Sequence, residues 1–176
     1  MHVQESPGDR SSKEFVLVAL YDEYYDKIAR YIFVRIGDRA EAEDLAGEVF
    51  LKALQSLGSY KERGIPMRAW LFKIAHNLVV DYLRQAAKRK TVPIDAVEVV
   101  AISDPQATAE INMERTRLAK ALAQLTPSQR QVIELRFFGG LTSEEVGRIL
   151  NKRGGAVREM QRVAIRQLRQ LLYEES

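Results

Sequence analysis

Apolar side chains recur every three or four residues along most of this chain, a spacing that predicts amphipathic helices. The predicted helices cover residues 14–36, 39–58, 67–90, 112–125, 128–138, 142–150 and 156–174. The strict alternation of apolar and polar residues that marks a half-buried strand is absent throughout. The pattern therefore predicts an all-α protein.

Several helix starts carry capping signals. Asp38 can cap the second helix, and Thr126 can cap the fifth. Thr142 or Ser143, with Glu145 nearby, predicts a capping box at the start of the sixth helix.

Two predicted helices have an apolar stripe that should face a core. In the second helix the stripe is Leu45, Val49, Leu54 and Leu57. In the third helix the inward residues are Trp70, Ile74, Leu78 and Leu83.

Residues 91–110 separate two helical regions. This stretch has two prolines, four acidic residues, no lysine or arginine, and no helical stripe, so it is predicted to be an extended linker, although its valines and isoleucines also allow a short strand. The chain then divides into a flexible N-terminal arm at 1–13, a helical domain at 14–90, the acidic linker and a second helical domain at 111–176. Basic residues outnumber acidic ones in both domains, which predicts two surfaces for polyanions.

Composition excludes several classes of protein. The 176 residues include no cysteine and two histidines, so disulfides, thiolate metal sites and a histidine-based zinc site are not expected. No apolar run is long enough to cross a membrane, and the polar start does not resemble a signal peptide. We find no paired carboxylates, nucleophile–base set or phosphate-cradling loop, so neither an enzyme nor a cofactor is expected. The expectation is a soluble, cytoplasmic protein.

The segment KRGGAVREMQR, residues 152–162, follows a short capped helix and predicts a helix-turn-helix motif. Gly154 and Gly155 are predicted to form the sharp turn, and Asn151 tolerates the left-handed conformation that ends the preceding helix. The last helix then has four arginines on one face, suited to a polyanion such as duplex DNA. These are Arg158, Arg162, Arg166 and Arg169. A solvated charged helix at the end of a bundle is the plainer alternative.

The third predicted helix has a polar edge. Asn77, Asp81 and Arg84 follow one another at helical spacing, so they lie on one side of it. Taken alone, these residues fit an ordinary solvated edge.

Four segments resemble the extracytoplasmic-function (ECF) family of bacterial RNA polymerase sigma factors, which contain only regions 2 and 4. They are DLAGEVFLKAL (44–54), RAWLFKIAHNLVVDYLR (68–84), LTPSQRQVIELRFFGGLTSEEVGRIL (125–150) and the closing helix after GGAV. They occur in the order of the family, and together they cover nearly the whole chain beyond the polar start.

The resemblance implies a contact with core RNA polymerase. In such sigma factors the helix that contains DLAGEVFLKAL binds a coiled coil of the largest catalytic subunit. The corresponding residues here are Asp44, Glu48, Lys52 and Gln55. Without the resemblance, an exposed helix edge is the simpler interpretation.

The resemblance also implies that the loop 58–66 and the third helix bind the −10 promoter element as single-stranded DNA. Extruded bases need donors and acceptors, and their phosphates need nearby cations. Asn77 and Asp81 are the implied readers. The candidate supporting residues are Tyr60, Lys61, Arg63, Arg68, Lys73 and Arg84. Trp70 and His76 are expected to be structural.

The helix-turn-helix is implied to hold the −35 element as duplex DNA. Arg158, Glu159 and Arg162 are placed for base edges, because arginine pairs with guanine and glutamate accepts from cytosine. The phosphate contacts are Lys152, Arg153 and the amide of Gly155.

The chain departs from the family pattern at three positions. Gly47 lies where glutamine is frequent, Gly147 where alanine is usual, and Ala156 where a hydroxyl residue is common. The glycine at 147 either allows closer helix packing or loosens it.

The implied function is that of an alternative sigma factor, which redirects core RNA polymerase to promoter DNA and helps to open it. The implied partners are core polymerase, promoter DNA and an anti-sigma factor that clamps the two domains. Membrane insertion and a small-molecule substrate are not expected. The alternative is a conventional helix-turn-helix regulator with an N-terminal sensing or dimerisation domain.

Overall fold

The structure, a computed structural model, describes residues 7–61, 64–90 and 105–174. All regular structure in these ranges is helical, which confirms the all-α prediction. Most of the predicted linker, residues 91–104, lies outside the described residues.

Helix α1 extends from Pro7 to Ile36, so it starts seven residues before the predicted helix. The first of these residues were predicted to form part of a flexible arm. They are polar but helical, and two ion pairs at i,i+4 spacing stabilise this end: Lys13 with Asp9 at 3.2 Å and Arg10 with Glu14 at 3.1 Å.

Helix α2 covers Arg39–Gln55, and the side chain of Asp38 accepts a hydrogen bond from the amide of Glu41, as the capping signal predicted. The predicted inward stripe is only partly correct, because Leu54 is 43% exposed. Three alanines lie on the buried face, where their small side chains allow α1 and α3 to approach closely. The buried residues are Ala42, Ala46, Val49, Phe50 and Ala53.

Helix α3 covers Met67–Lys90, as predicted. Its buried face packs against α1 and α2 to form a three-helix body with an aromatic centre. In this centre the ring of Phe72 meets the rings of Tyr24 and Tyr31 edge-on.

Residues 105–174 contain four α-helices and one π-helical turn, Glu134–Phe138. The capping boxes at Thr126 and Thr142 are both formed, and the second of these uses Glu145. The four helices are α4 (Ala109–Ala123), α5 (Pro127–Ile133), α6 (Ser143–Leu150) and α7 (Gly154–Tyr173).

The two groups of helices pack against each other. We call α1–α3 the N-terminal body and α4–α7 with the π-helical turn the C-terminal body. One apolar core passes through both, and a smaller cluster around Leu122 and Ala164 joins α4 and α5 to α7. The C-terminal body contributes to the shared core Val132, Leu135, Leu141, Val146, Ile149 and Val157.

Candidate nucleic-acid and polymerase interfaces

A tight turn joins α6 to α7. Asn151 ends α6 in the left-handed conformation with φ 55°, as predicted, and the amide of Lys152 donates to the carbonyl of Gly147 at 2.7 Å. A Cβ on Gly147 would lie 2.4 Å from the carbonyl oxygen of Lys152. The glycine therefore allows close packing of the turn, which resolves the alternative that the sequence left open.

The glycine pair lies inside α7 and not in the turn, so that prediction is wrong. Arg153 is the residue before the helix, and Gly154 is its first residue. A Cβ on Gly154 would lie 2.9 Å from Glu144 Oε1, whereas a Cβ on Gly155 would make only an ordinary contact, 3.9 Å from Nη2 of Arg158. Gly154 thus lets α6 approach the start of α7, and exposed Gly155 leaves the unpaired amides of this helix end accessible to an anion.

The four arginines of α7 are all exposed, as the helical spacing predicted. Together with Arg136 of the π-helical turn they line one concave surface of the C-terminal body. The opposite face of α7 buries Val157 and Ala164 in the core. We call the row of four exposed arginines the arginine ridge of α7. The buried face of the helix holds this ridge in a fixed position.

Two carboxylates lie among these arginines. Arg158 donates to Glu144 at 2.5 Å, and Arg162 makes a two-pronged contact with Glu159 at 2.7 and 3.0 Å. These hydrogen bonds hold the pKa of Glu144 and of Glu159 below the usual range. All four side chains are more than half exposed, so the pairs contribute little stability and can exchange for phosphates or base edges.

Arg136 is a residue of this surface that the sequence analysis missed. Its Nε donates to Oε1 of Gln161 on α7 at 2.8 Å, and another guanidinium nitrogen donates to the carbonyl of Leu141. It therefore ties the segment before α6 to the middle of α7. No periodicity or motif distinguishes it from other arginines, because its role depends on a partner 25 residues later.

The two predicted −10 readers and two of the supporting residues lie on one exposed edge of α3. Lys73, Asn77, Asp81 and Arg84 are all exposed and follow at helical spacing. This edge presents two cations, an amide and a carboxylate to solvent, which is the mixture needed to hold phosphates and hydrogen-bond to bases.

The other residues predicted to bind the −10 element differ in their exposure to solvent. Lys61 is exposed, and Arg63 lies outside the described residues. Tyr60 is buried: its ring packs against Trp70 at a tilt of 35° with 5.0 Å between centroids, and its hydroxyl donates to the carbonyl of Ile65 at 2.9 Å. In this structure Tyr60 shapes the loop and does not face solvent.

Arg68, another predicted −10 residue, forms an ion pair with the C-terminal body. Its guanidinium donates to Oε1 of Glu145 on α6 at 2.8 Å, and this bond raises the pKa of Arg68. The sequence gives no signal for the contact, because the two residues are 77 positions apart.

A buried polar chain lies beneath the −10 edge. His76, beside Asn77, is within 3.4 Å of the hydroxyl of Tyr31, and burial, followed by the nearby Arg35, lowers the pKa of His76 to about 4. The histidine is therefore neutral near pH 7, which fits the structural role predicted for it. Arg35 in turn lies 3.4 Å from buried Glu134, whose pKa burial raises to about 7.

The predicted polymerase-binding residues lie together on α2. Asp44, Glu48, Lys52 and Gln55 are all exposed, and Lys52 is 3.9 Å from Glu48. Leu51 lies on the same face with 54% of its surface exposed. A single exposed leucine is common on protein surfaces and does not by itself indicate a partner.

The described residues lack two kinds of feature. They contain no cluster of three or more histidine or acidic side chains that could hold a metal ion. No helix among them has the length and apolar character to cross a bilayer.

Comparisons with known proteins match both bodies to families. Residues 20–89 match Sigma-70 region 2, and residues 121–170 match Sigma-70 region 4. The ECF RNA polymerase sigma factor BldN of Streptomyces coelicolor is 37% identical over 161 residues, 89% of this chain but 60% of BldN. The chain thus spans less than two thirds of that relative.

A second relative matches over most of the length of both chains. The ECF RNA polymerase sigma factor SigL of Mycobacterium tuberculosis is 31% identical over 95% of this chain and 94% of its own length. Among solved structures, the sigma factor RpoE in complex with the anti-sigma factor NepR from Bartonella quintana has the same fold, with a TM-score of 0.71 and 21% identity. That match covers 92% of this chain and 98% of the solved one.

Proposed function

Because the chain belongs to the ECF family of bacterial RNA polymerase sigma factors, we propose that it binds core RNA polymerase, directs it to promoters and helps to open them. The observation that carries this proposal is the pairing of two surfaces on one chain. The exposed polar edge of α3 suits single-stranded DNA, and the arginine ridge of α7 suits duplex DNA. Sigma factors supply recognition to the polymerase and no bond-making chemistry of their own.

The start of α7 would enter the major groove of the −35 element. Arg158 and Arg162 can donate to guanine, and Glu159 can accept from cytosine once Arg162 releases it. Phosphates would be held beside the helix start by exposed Lys152 and Arg153 and by the amide of Gly155. The concave surface adds Arg136, Arg166 and Arg169 as cations around the groove.

The polar edge of α3 would hold the non-template strand of the −10 element after the duplex opens. Asn77 and Asp81 provide the donors and acceptors that read bases, while Lys73 and Arg84 neutralise phosphates. The rigidity of this edge comes from the buried neighbours beneath it, including His76 and Tyr31.

The face of α2 with Asp44, Glu48, Lys52 and Gln55 would bind a basic coiled coil of the polymerase. Charged residues at its rim set the orientation of the partner, and Leu51 adds apolar contact area between them.

We propose the domain limits that the sequence predicts. Residues 14–90 form the region 2 domain, 91–110 the linker, and 111–176 the region 4 domain, while the helical start of α1 replaces much of the predicted arm.

Since RpoE was solved with an anti-sigma factor, a protein of that kind is a proposed third partner. A protein that acts on RNA polymerase would work in the cytoplasm.

The alternative of a conventional regulator with a sensing domain is not favoured, because the N-terminal half matches a sigma region. Size-exclusion chromatography with purified core polymerase distinguishes the two functions. A sigma factor elutes with the core enzyme at equal stoichiometry. A conventional regulator stays in its own peak and binds duplex DNA without polymerase, a result that would overturn the proposal.

A further inference from the structure

The carboxylate of Glu144 lies against the start of α7 because the turn leaves space for it there. Glu144 is the second residue of α6, and its Oε1 accepts a hydrogen bond from Nη1 of Arg158 on α7 at 2.5 Å. A Cβ on Gly154 would lie 2.9 Å from this oxygen and 3.3 Å from Cγ and Cδ of the same side chain. A glycine at 154 therefore makes the ion pair part of the packing of α6 on α7.

The capping box of α6 does not include Glu144. Glu145, the next residue, forms the box with Thr142 through hydrogen bonds of 2.9 and 3.2 Å. The side chain of Glu144 is 65% exposed, and the bond from Arg158 holds the pKa of Glu144 below the usual range. The carboxylate is therefore charged near pH 7, and it can be removed without loss of the helix cap.

The two arginine–glutamate pairs of α7 use different donors. Arg162 gives both Nε and Nη2 to Glu159, at 3.0 and 2.7 Å, so this edge of its guanidinium is occupied. Arg158 gives Nη1 to Glu144, and among the described residues its Nε and Nη2 have no hydrogen-bond partner. Guanine accepts two parallel hydrogen bonds from one edge of a guanidinium. Arg158 can thus bind guanine while it remains paired, whereas Arg162 must first release Glu159.

The pairing changes what Arg158 gains from DNA. An unpaired guanidinium binds any phosphate, and such a contact raises affinity for every sequence. With a carboxylate beside it the pair has no net charge, so the attraction to phosphates is weakened while the edge for guanine stays available. The carboxylate also fixes the rotamer of a long side chain, so less conformational entropy is lost when guanine binds. Both effects favour base recognition over phosphate binding.

We propose that Glu144 is a positioning residue that makes Arg158 a reader of guanine in the −35 element and keeps it from acting as a general phosphate contact. Gly154 supports this role, because it leaves the space in which the Glu144 side chain lies. The inference rests on the proposed function for the identity of the DNA site. The base preference itself can be measured on the full-length chain with or without polymerase.

Selection from a randomised duplex library, followed by sequencing, tests the proposal on the full-length chain and on its complex with core polymerase. The position at which Arg158→Ala loses a guanine preference identifies the base that Arg158 reads. The unmodified protein should prefer guanine there by about tenfold. Glu144→Ala should reduce this preference to about twofold, raise affinity for random duplex DNA and steepen its salt dependence by about one phosphate contact.

Three further variants separate positioning from folding. Gly154→Ala keeps the carboxylate but displaces it from Arg158, so it should also lower the guanine preference, although alanine favours a helix. When Arg158 is already alanine, Glu144→Ala should change the preference at that base no further, because the side chain that it positions is absent. The matched control is Glu110→Ala, which removes an exposed glutamate from the second position of α4, outside the concave surface. It should leave the preference and the salt dependence unchanged.

An unchanged guanine preference in Glu144→Ala, or a uniform loss of affinity for all duplexes in Arg158→Ala, would overturn the proposal. If the chain alone shows the expected changes but does not bind core polymerase, the proposed function fails while the positioning role of Glu144 is established. If the complex with core polymerase forms and Glu144→Ala selects the same bases as the unmodified protein, the proposed function survives and the positioning role is refuted.

Discussion

At the scale of single residues, glycines at two positions of the family pattern have opposite consequences. Gly147 lies under the carbonyl of Lys152, whereas Gly47 in α2 has open space where a Cβ would be. Gly147→Ala should lower the free energy of unfolding by about 1–3 kcal/mol, because the turn must shift to admit the methyl group. Gly47→Ala should raise it by about 0.5–1 kcal/mol, because alanine favours a helix interior. Urea denaturation of both variants measures the difference, and equal effects would contradict the assigned role of Gly147.

Arg158 and Lys152 are expected to differ in the way they bind DNA. Arg158→Ala should weaken promoter binding by the holoenzyme by about 1–3 kcal/mol and relax specificity at one −35 position. Lys152→Ala should weaken binding uniformly across sequences and reduce its salt dependence. Binding measured on a set of single-base −35 variants separates the two. A uniform loss for Arg158→Ala would make that residue a phosphate contact.

Two ionisable groups change the stability of the fold in opposite directions as pH falls. His76 has a folded pKa of about 4 and an ordinary value of 6.5, so the folded state loses stability as pH falls below about 6.5. Glu134 has a folded pKa of about 7 and an ordinary value of 4.5, so its contribution is complete below 4.5 and is lost as pH rises through 7.

Variants separate these contributions. The stability of His76→Gln should fall less than that of the unmodified protein between pH 7.5 and pH 5, by about 1 kcal/mol after allowance for partial exposure. Glu134→Gln should fall more over the same interval. Urea denaturation at the two pH values is the measurement, and an unchanged pH difference in His76→Gln would show that its titration is not coupled to folding.

At the scale of helices, local chemistry predicted most of the secondary structure. The caps at Asp38, Thr126 and Thr142 and the left-handed Asn151 act within a few residues, so sequence spacing was enough to place them. The start of α7 was predicted wrongly, because a glycine pair signals a turn locally and only the approach of Glu144 explains a glycine inside the helix.

Helix α2 provides a test of the polymerase contact. Reversal of two charges on its exposed face, Asp44→Lys with Glu48→Lys, should reduce affinity for core polymerase at least tenfold, because the face would then repel a basic partner. The matched control is Glu110→Lys with Glu114→Lys, a pair with the same spacing on exposed α4. Titration of labelled protein with core enzyme measures both, and equal loss in the control would assign the effect to net charge.

At the scale of the whole molecule, the sequence predicted two helical bodies but not their packing. The exposed edges of α2, α3 and α7 follow from helical periodicity, and the structure presents them as expected. The contacts of Arg68 with Glu145 and of Arg35 with Glu134 join residues far apart in the chain. Such pairs depend on the fit of two folded surfaces, which no local pattern encodes.

We expect this chain to give core RNA polymerase its choice of start sites. Run-off transcription of a genomic fragment library, with purified core polymerase alone or with the protein added, tests it most directly when the 5′ ends of the transcripts are sequenced. A sigma factor should produce new start sites that need the protein and share two upstream sequence elements, near −10 and −35. Identical start sites with and without the protein would contradict it.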